Sequence, residues 1–421
     1  MSIPTAVHED LKLSQAVREL ALEGYEKPGK IEFESREKYA WLRDLGSSLW
    51  LDTGDAEAAQ KVWSRELEAL TTNNTLVNQV VRTGALDGLI AYAARKIRDV
   101  RPGISDRDLI VETGFLVNAK LALGLVQRFG AHVSVELHPD VGFDVQKTLA
   151  YARRYYDINP DYFYVKAPLT PDGFVATRLL SAEGVPVNYT LGFSARQNYL
   201  AALFSRPRFV NVFLGRLNSL VEENGLGRPE NVGEKAALAS YEAVAELREA
   251  HRDLPTQQIA ASLRSGSQVA ALVGVDVLTM PPKAAEEYLE LDITRNDLCR
   301  YGPQDLRVEL NPEKPVETSQ LGSLWLIDAR FIDFAQDAAA QADQMTSGRE
   351  LVELSRRHAV NLFSEWSAEE RQRIREKGKI PDLSQWPGRP VDDLMSISAL
   401  ESFAKDQEEL DERIAGLVRQ V

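Results

Sequence analysis

The chain has 421 residues, 44% of them hydrophobic and 27% charged, which is enough apolar material for one large α/β barrel or two to three smaller domains. Its 63 acidic residues against 49 basic ones exclude a broad nucleic-acid-binding or anionic-membrane surface, so any phosphate site must be local. Cys299 is the only cysteine, which rules out an intrachain disulfide and a thiolate metal cluster.

A reducing, cytoplasmic setting is the expectation. The first residues show no basic stretch leading into an apolar core, and no run of about eighteen apolar residues marks a membrane span. Residues 1–46 are charged and helix-prone, an N-terminal helical extension. Between 47 and 291, short β-type runs alternate with helical patterns, the signature of βα units and a parallel sheet. The runs are SLWLDT near 50, ALTTN near 71, HVSVEL near 135, YFYVK near 164, VPVNYTL near 188, FVNVFLG near 212, QIAASL near 260 and VDVLTM near 278.

Two long helical patterns, ALDGLIAYAARKIRD and SDRDLIVETGFLVNAKLALGLVQRFG, fill the gap between the second and third runs. Asp144 suits an N-cap for a helix with apolar residues at Val145, Leu149, Ala152 and Tyr156, ended by Asn159-Pro160. Further helices are expected from Pro171 to Glu183, Ser194 to Phe204 and Pro282 to Leu291. Eight strands alternating with helices predict an α/β fold, a closed (β/α)8 TIM barrel, with an open doubly wound sheet as the alternative. Residues 292–421 read as a mostly helical C-terminal extension packed on the barrel, ending in SALESFAKDQEELDERIAGLVRQ. Its amphipathic stretches need an apolar partner, and the expectation is that residues 292–395 help enclose the substrate.

Chemistry in a parallel barrel collects where the strands end. The polar residues at those ends are Asp52, Asn73, Glu136, Lys166, Asn188 with Thr190, Asn211 with Arg216, and Ser262 with Arg264. Lys166, flanked by YFYV and Ala167-Pro168, should point into the barrel mouth. One reading is a buried ammonium paired with a carboxylate. The other is a Schiff-base nucleophile, which needs free amine near neutral pH and hence a pKa well below about 10.4. Asp52 and Glu136, from different strands, could divide acid and base duties, though either alone also reads as a solvated loop acid or helix cap. Arg216 and Arg264 could clamp a phosphate.

Taken in chain order, LWLDTGD, LTTNNTLV, VSVELHPDVGFD, YVKAPLTPDG, VNYTLGFS, NVFLGR and ASLR resemble the transaldolase family. The resemblance spans about residues 47–291, and FAKDQEELDERIAGL is similar to the family's final helix. It implies catalytic roles for Asp52, Glu136 and Lys166, with Thr190 positioning a water. It also implies substrate contacts from Asn73, Asn188, Asn211, Arg216, Ser262 and Arg264, and it places Ser194 in the same matched segment as Asn188 and Thr190. Two departures stand out: Asn74 replaces a proline common after the asparagine, suggesting a looser loop, and Asn211 replaces a serine at the phosphate site. The segment 292–395 is longer than in typical members.

The activity so implied is transfer of a dihydroxyacetone unit from fructose 6-phosphate or sedoheptulose 7-phosphate to an aldose phosphate, a pentose phosphate pathway reaction. It would need no metal or organic cofactor. Sugar phosphates are the expected partners, with no nucleic acid and no membrane, and a homodimer is left open. The alternatives are a related Schiff-base aldolase that releases dihydroxyacetone or acts on an unusual sugar, and a non-catalytic sugar-phosphate-binding barrel. Among His8, His132, His138, His251 and His358 there is no tight metal-ligand spacing; His138 reads as a loop residue near the mouth. NGLGRPENVG reads as a loop. SAEERQRIREKGK reads as a solvated helix face.

Overall fold

Every β-type run becomes a strand: β1 (Ser48–Asp52), β2 (Leu67–Thr71), β3 (His132–Glu136), β4 (Phe163–Pro168), β5 (Val187–Thr190), β6 (Phe209–Phe213), β7 (Gln257–Ala261) and β8 (Val277–Met280). In the computed structural model, which describes residues 11–419, each strand pairs in parallel with its sequence neighbour. β8 pairs back onto β1, closing an eight-stranded barrel. The open sheet is excluded because no strand edge is left unpaired within it.

Helix boundaries follow from capping chemistry. Asp144 accepts from the Lys147 N–H, Thr170 from Gly173, and Ser194 from Gln197, each satisfying a donor the helix cannot. The 24-residue helix Asp106–Phe129 starts at Ser105 and stops at Gly130, whose φ of 62° is the left-handed turn that glycine adopts freely. An 18-residue window of this helix has mean hydropathy 1.7, enough by composition for a bilayer. It is 72% buried, packed against β3 and three other helices.

Side chains alternate along a strand, so residues two apart share a face. Trp50 precedes Asp52 by two, Tyr164 precedes Lys166, and Phe209 precedes Asn211. The three rings come from non-adjacent strands, yet Trp50 lies 5.6 Å from Tyr164 and 4.7 Å from Phe209, and Tyr164 lies 5.1 Å from Phe209. They therefore meet across the barrel interior and fill it. The polar residues two positions on form the next layer toward the C-terminal mouth.

Outside the barrel, helix Leu11–Leu22 packs on Asp106–Phe129. The final helix is longer than its sequence pattern: it runs Val391–Val418 and begins directly after Pro390. It packs against helices Asn74–Arg82, Asp87–Val100, Asp106–Phe129 and Ala368–Lys377. Arg196 makes a two-pronged contact to Asp392, 2.7 Å at each oxygen, and Ser194 Oγ donates to the same carboxylate at 2.7 Å. Ser194, in the segment VNYTLGFS, thus both caps its own helix and anchors the final one.

Among the helices that go unnamed in the sequence reading are Leu214–Glu223, Val232–Ala250 and Ala329–Gln341. The loop read in NGLGRPENVG ends early, since Val232 and Gly233 open the second of these. Gly233 is needed there, for a Cβ would sit 2.1 Å from the Leu214 carbonyl oxygen. His138 caps a 3-10 turn through the Asp140 N–H and lies 3.5 Å from Asp411 on the final helix, so it docks that helix. His8 lies outside the described residues.

Candidate active site

A cavity of about 180 Å³ opens at the C-terminal end of the barrel. Asp52, Asn73, Lys166, Asn188, Asn211, Arg216, Ser262 and Arg264 all line it. Strand register explains the gathering. Glu136 pairs with Lys166, Lys166 with Asn188, and Pro168 with Thr190, so polar residues of β3, β4 and β5 stand side by side at one level.

Lys166 is 4% exposed. Its Nζ donates to the Thr72 carbonyl at 3.1 Å and lies 3.7 Å from Glu136 Oε1. The pairing expected of an inert buried ammonium is thus present, and so is the cavity that a nucleophile needs. Glu136 is buried behind the lysine and does not line the space itself. Burial pushes its carboxyl above the ordinary carboxylate range, while Lys166 and the Asn74 N–H, at 3.2 Å from Oε2, pull the other way. Asp52 is half-buried, with Oδ1 accepting from the Thr71 hydroxyl at 2.7 Å. Thr71 in turn meets Thr279 at 3.0 Å.

The far side of the cavity is cationic. Arg216, in the first turn of helix Leu214–Glu223, is 7% exposed and its Nη1 has no hydrogen-bond partner within the chain. Burial, and next the charge of Arg264, push its pKa down to about 10, so it remains a cation at neutral pH. A buried guanidinium lacking a partner is costly unless an anion completes it. Gly215 makes the arrangement possible: a Cβ there would fall 2.2 Å from the Ser262 carbonyl and 2.7 Å from Arg264 Nε. Ser262 holds a φ of 63° to turn the chain from β7 toward Arg264.

The model of the transaldolase/fructose-6-phosphate aldolase family matches residues 49–320, well over half the chain. The chain belongs to this family. A probable transaldolase of Thermus thermophilus is 30% identical over 257 residues, covering 60% of this chain and 95% of its own. A transaldolase of Xanthomonas campestris is 30% identical over 277 residues, covering 63% and 81%. A probable transaldolase of Nitrosopumilus maritimus is 35% identical over 143 residues, covering 34% and 58%.

Both departures within this transaldolase-family barrel have structural explanations. Asn73 is the N-cap of helix Asn74–Arg82, its Oδ1 accepting from Leu76, and Asn74 is the first helical residue. Proline is at home at that position, but asparagine adds an N–H, and here that N–H binds Glu136. The segment is a buried helix start, not the looser loop the sequence suggests. Asn211 has both amide ends engaged by backbone: it donates to the Tyr189 carbonyl and accepts from Gly192 at 3.3 Å. Its amide fixes the β5 loop while its side chain borders the cavity.

Of the residues expected at the site, Thr190 and Glu136 are not among those lining the cavity. Thr190 is 1% exposed and its Oγ1 has no partner within the chain; the same holds for Oδ1 of Asn188, whose Nδ2 donates to Ser134 Oγ at 3.0 Å. Sequence reasoning missed Thr71, Ser134 and Thr279. Two-residue alternation could have found the first two, since Ser134 shares a face with Glu136 and Thr71 is the partner of Asp52. It also missed Lys379 and Phe403, which close the cavity from the C-terminal part of the chain.

Proposed function

We propose that the protein transfers a dihydroxyacetone unit from a ketose phosphate, such as fructose 6-phosphate or sedoheptulose 7-phosphate, to an aldose phosphate through a Schiff base on Lys166. The observation that carries this reading is Lys166 Nζ held in the barrel mouth 3.7 Å from the Glu136 carboxylate, facing a cavity shared with Asp52. Family membership and the unpartnered Arg216 support it. Residues 47–291 are the catalytic unit in this reading, and the pentose phosphate pathway and the cytoplasm are its setting.

The free amine of Lys166 attacks the C2 ketone, and the resulting carbinolamine loses water to give an iminium. Glu136, with its raised pKa, delivers and recovers protons through a water held by Thr190. Asp52 takes the C4 hydroxyl proton, the C3–C4 bond breaks, and its electron pair moves into the iminium, leaving an enamine on Lys166 and a free aldose phosphate. Asn73 and Asn188 hold hydroxyls of the retained three carbons. Arg216 and Arg264, with Ser262, hold the phosphate of the donor and then of the acceptor.

Borohydride reduction in the presence of fructose 6-phosphate tests this: the expected product is a dihydroxyacetone-derived adduct mapped by mass to Lys166. An unmodified Lys166 under turnover conditions removes the proposal. Product analysis with and without an acceptor aldose phosphate separates transfer from release of dihydroxyacetone to water.

A further inference from the structure

We propose that Lys379, supplied by the C-terminal part of the chain, is a substrate-binding residue that completes the phosphate subsite with Arg216 and Arg264. The inference rests on the phosphate reading given above and extends it to a residue beyond the span matched by the family model.

Three observations carry it. Lys379 lines the same cavity as Arg216 and Arg264. None of the three forms an ion pair among the described residues, although the chain has a net charge of −14 and most of its arginines are paired. Arg264 repels Arg216 while Asp406 and Glu136 pull the other way, and Lys379 adds a third positive charge to the lining of the same cavity, an excess that a dianion entering the cavity offsets.

The third observation is how the lysine is held. It follows Gly378, whose φ of 103° produces the sharp exit from helix Ala368–Lys377. Ser398 Oγ on the final helix donates to the Lys379 carbonyl at 3.3 Å. Two residues on, the Pro381 carbonyl accepts from Asn224 Nδ2 at 3.0 Å, and the Leu383 N–H donates to Asn224 Oδ1 at 2.9 Å. Asn224 caps the C-terminus of the helix whose first turn carries Arg216. The backbone under Lys379 is therefore tied to the element that presents Arg216, while its side chain stays exposed and free to move onto a ligand. Phe403, with the Arg216 guanidinium 5.2 Å from its ring, positions the neighbouring cation from the same part of the chain.

The test is competitive inhibition by inorganic phosphate on the full-length enzyme, with fructose 6-phosphate as donor. Lys379→Met is expected to raise the inhibition constant and the KM for fructose 6-phosphate about five- to tenfold, the loss expected for one charge-assisted contact at a partly exposed site. Lys379→Arg should recover both to within about twofold, a rescue that a purely structural role would not produce. Arg264→Met provides the comparison. If Arg264→Met weakens phosphate inhibition and Lys379→Met does not, Lys379 is not in the subsite and this inference falls alone. If neither variant changes it, the phosphate reading of this wall falls and takes the inference with it.

Discussion

Glu136 and Lys166 are register partners on neighbouring strands, with the amine 3.7 Å from a carboxylate that burial makes hard to ionise. A carboxyl raised above its usual range holds a proton at pH values where an ordinary glutamate has lost it, which suits alternate donation and recovery during imine formation. Glu136→Gln keeps shape and polarity but cannot exchange the proton. The expected result is a fall in kcat of about 10²–10³-fold with a smaller change in KM, measured by steady-state transfer from fructose 6-phosphate. An unchanged kcat would take Glu136 out of the proton path.

The Asn74 N–H stabilises the ionised form of Glu136, so removing it should raise the carboxyl further. Asn74→Pro does this at a helix position where proline fits, with little cost to the fold. The limb of the pH–kcat profile that reports Glu136 is expected to move to higher pH than in the parent enzyme. A profile that does not move, in a variant of normal thermal stability, would mean that this hydrogen bond does not set the titration.

Much of this site was legible because strands impose a strict two-residue rhythm. Asp52, Glu136, Lys166 and Asn188 each stand at the end of an apolar run, and eight such runs admit few arrangements. The rhythm says nothing about parts brought in from afar. Lys379 reaches the cavity just past the end of helix Ala368–Lys377 and Phe403 from within the final helix, and the patterns of these two helices look like surface and core. Ser194 shows the same limit: nothing in VNYTLGFS says what its hydroxyl does, and the buried carboxylate of Asp392, some two hundred residues later, claims it. Nothing local distinguishes a hydroxyl used for capping and docking from one used for binding.

Asp393, one residue beyond that anchor, is pushed up to about 7, by burial first. Its Oδ2 accepts from the Ser364 N–H at 2.8 Å and from the Trp366 indole N–H at 3.0 Å. The folded protein thus holds this proton more tightly than the unfolded chain, where an aspartate loses it near pH 4. The contribution of Asp393 to stability is fully present below about pH 4, declines as pH rises toward about 7, and is lost above, with a slope of at most about 1.4 kcal/mol per pH unit. Asp393→Asn retains an acceptor oxygen and cannot ionise. Urea unfolding at about pH 5 and about pH 8 should show a smaller difference in the variant than in the parent; equal differences would refute the assignment.

The Arg196–Asp392 pair is a two-pronged ionic tie between the barrel and the final helix, with Asp392 fully buried and Arg196 nearly so. Breaking such a pair from the arginine side leaves the Asp392 charge buried with no counter-charge and only the Ser194 hydroxyl and the Asp393 N–H as donors, which costs about 3–5 kcal/mol. Arg196→Met is expected to lower the free energy of urea unfolding by that order. Arg196→Met combined with Asp392→Leu should recover much of the loss, because neither charge is then buried. Since the same helix carries Phe403 against Arg216, the single variant should also raise the KM for phosphorylated substrates more than it lowers kcat. A single variant with parental stability would show that the pair is solvated in solution and does not anchor the helix.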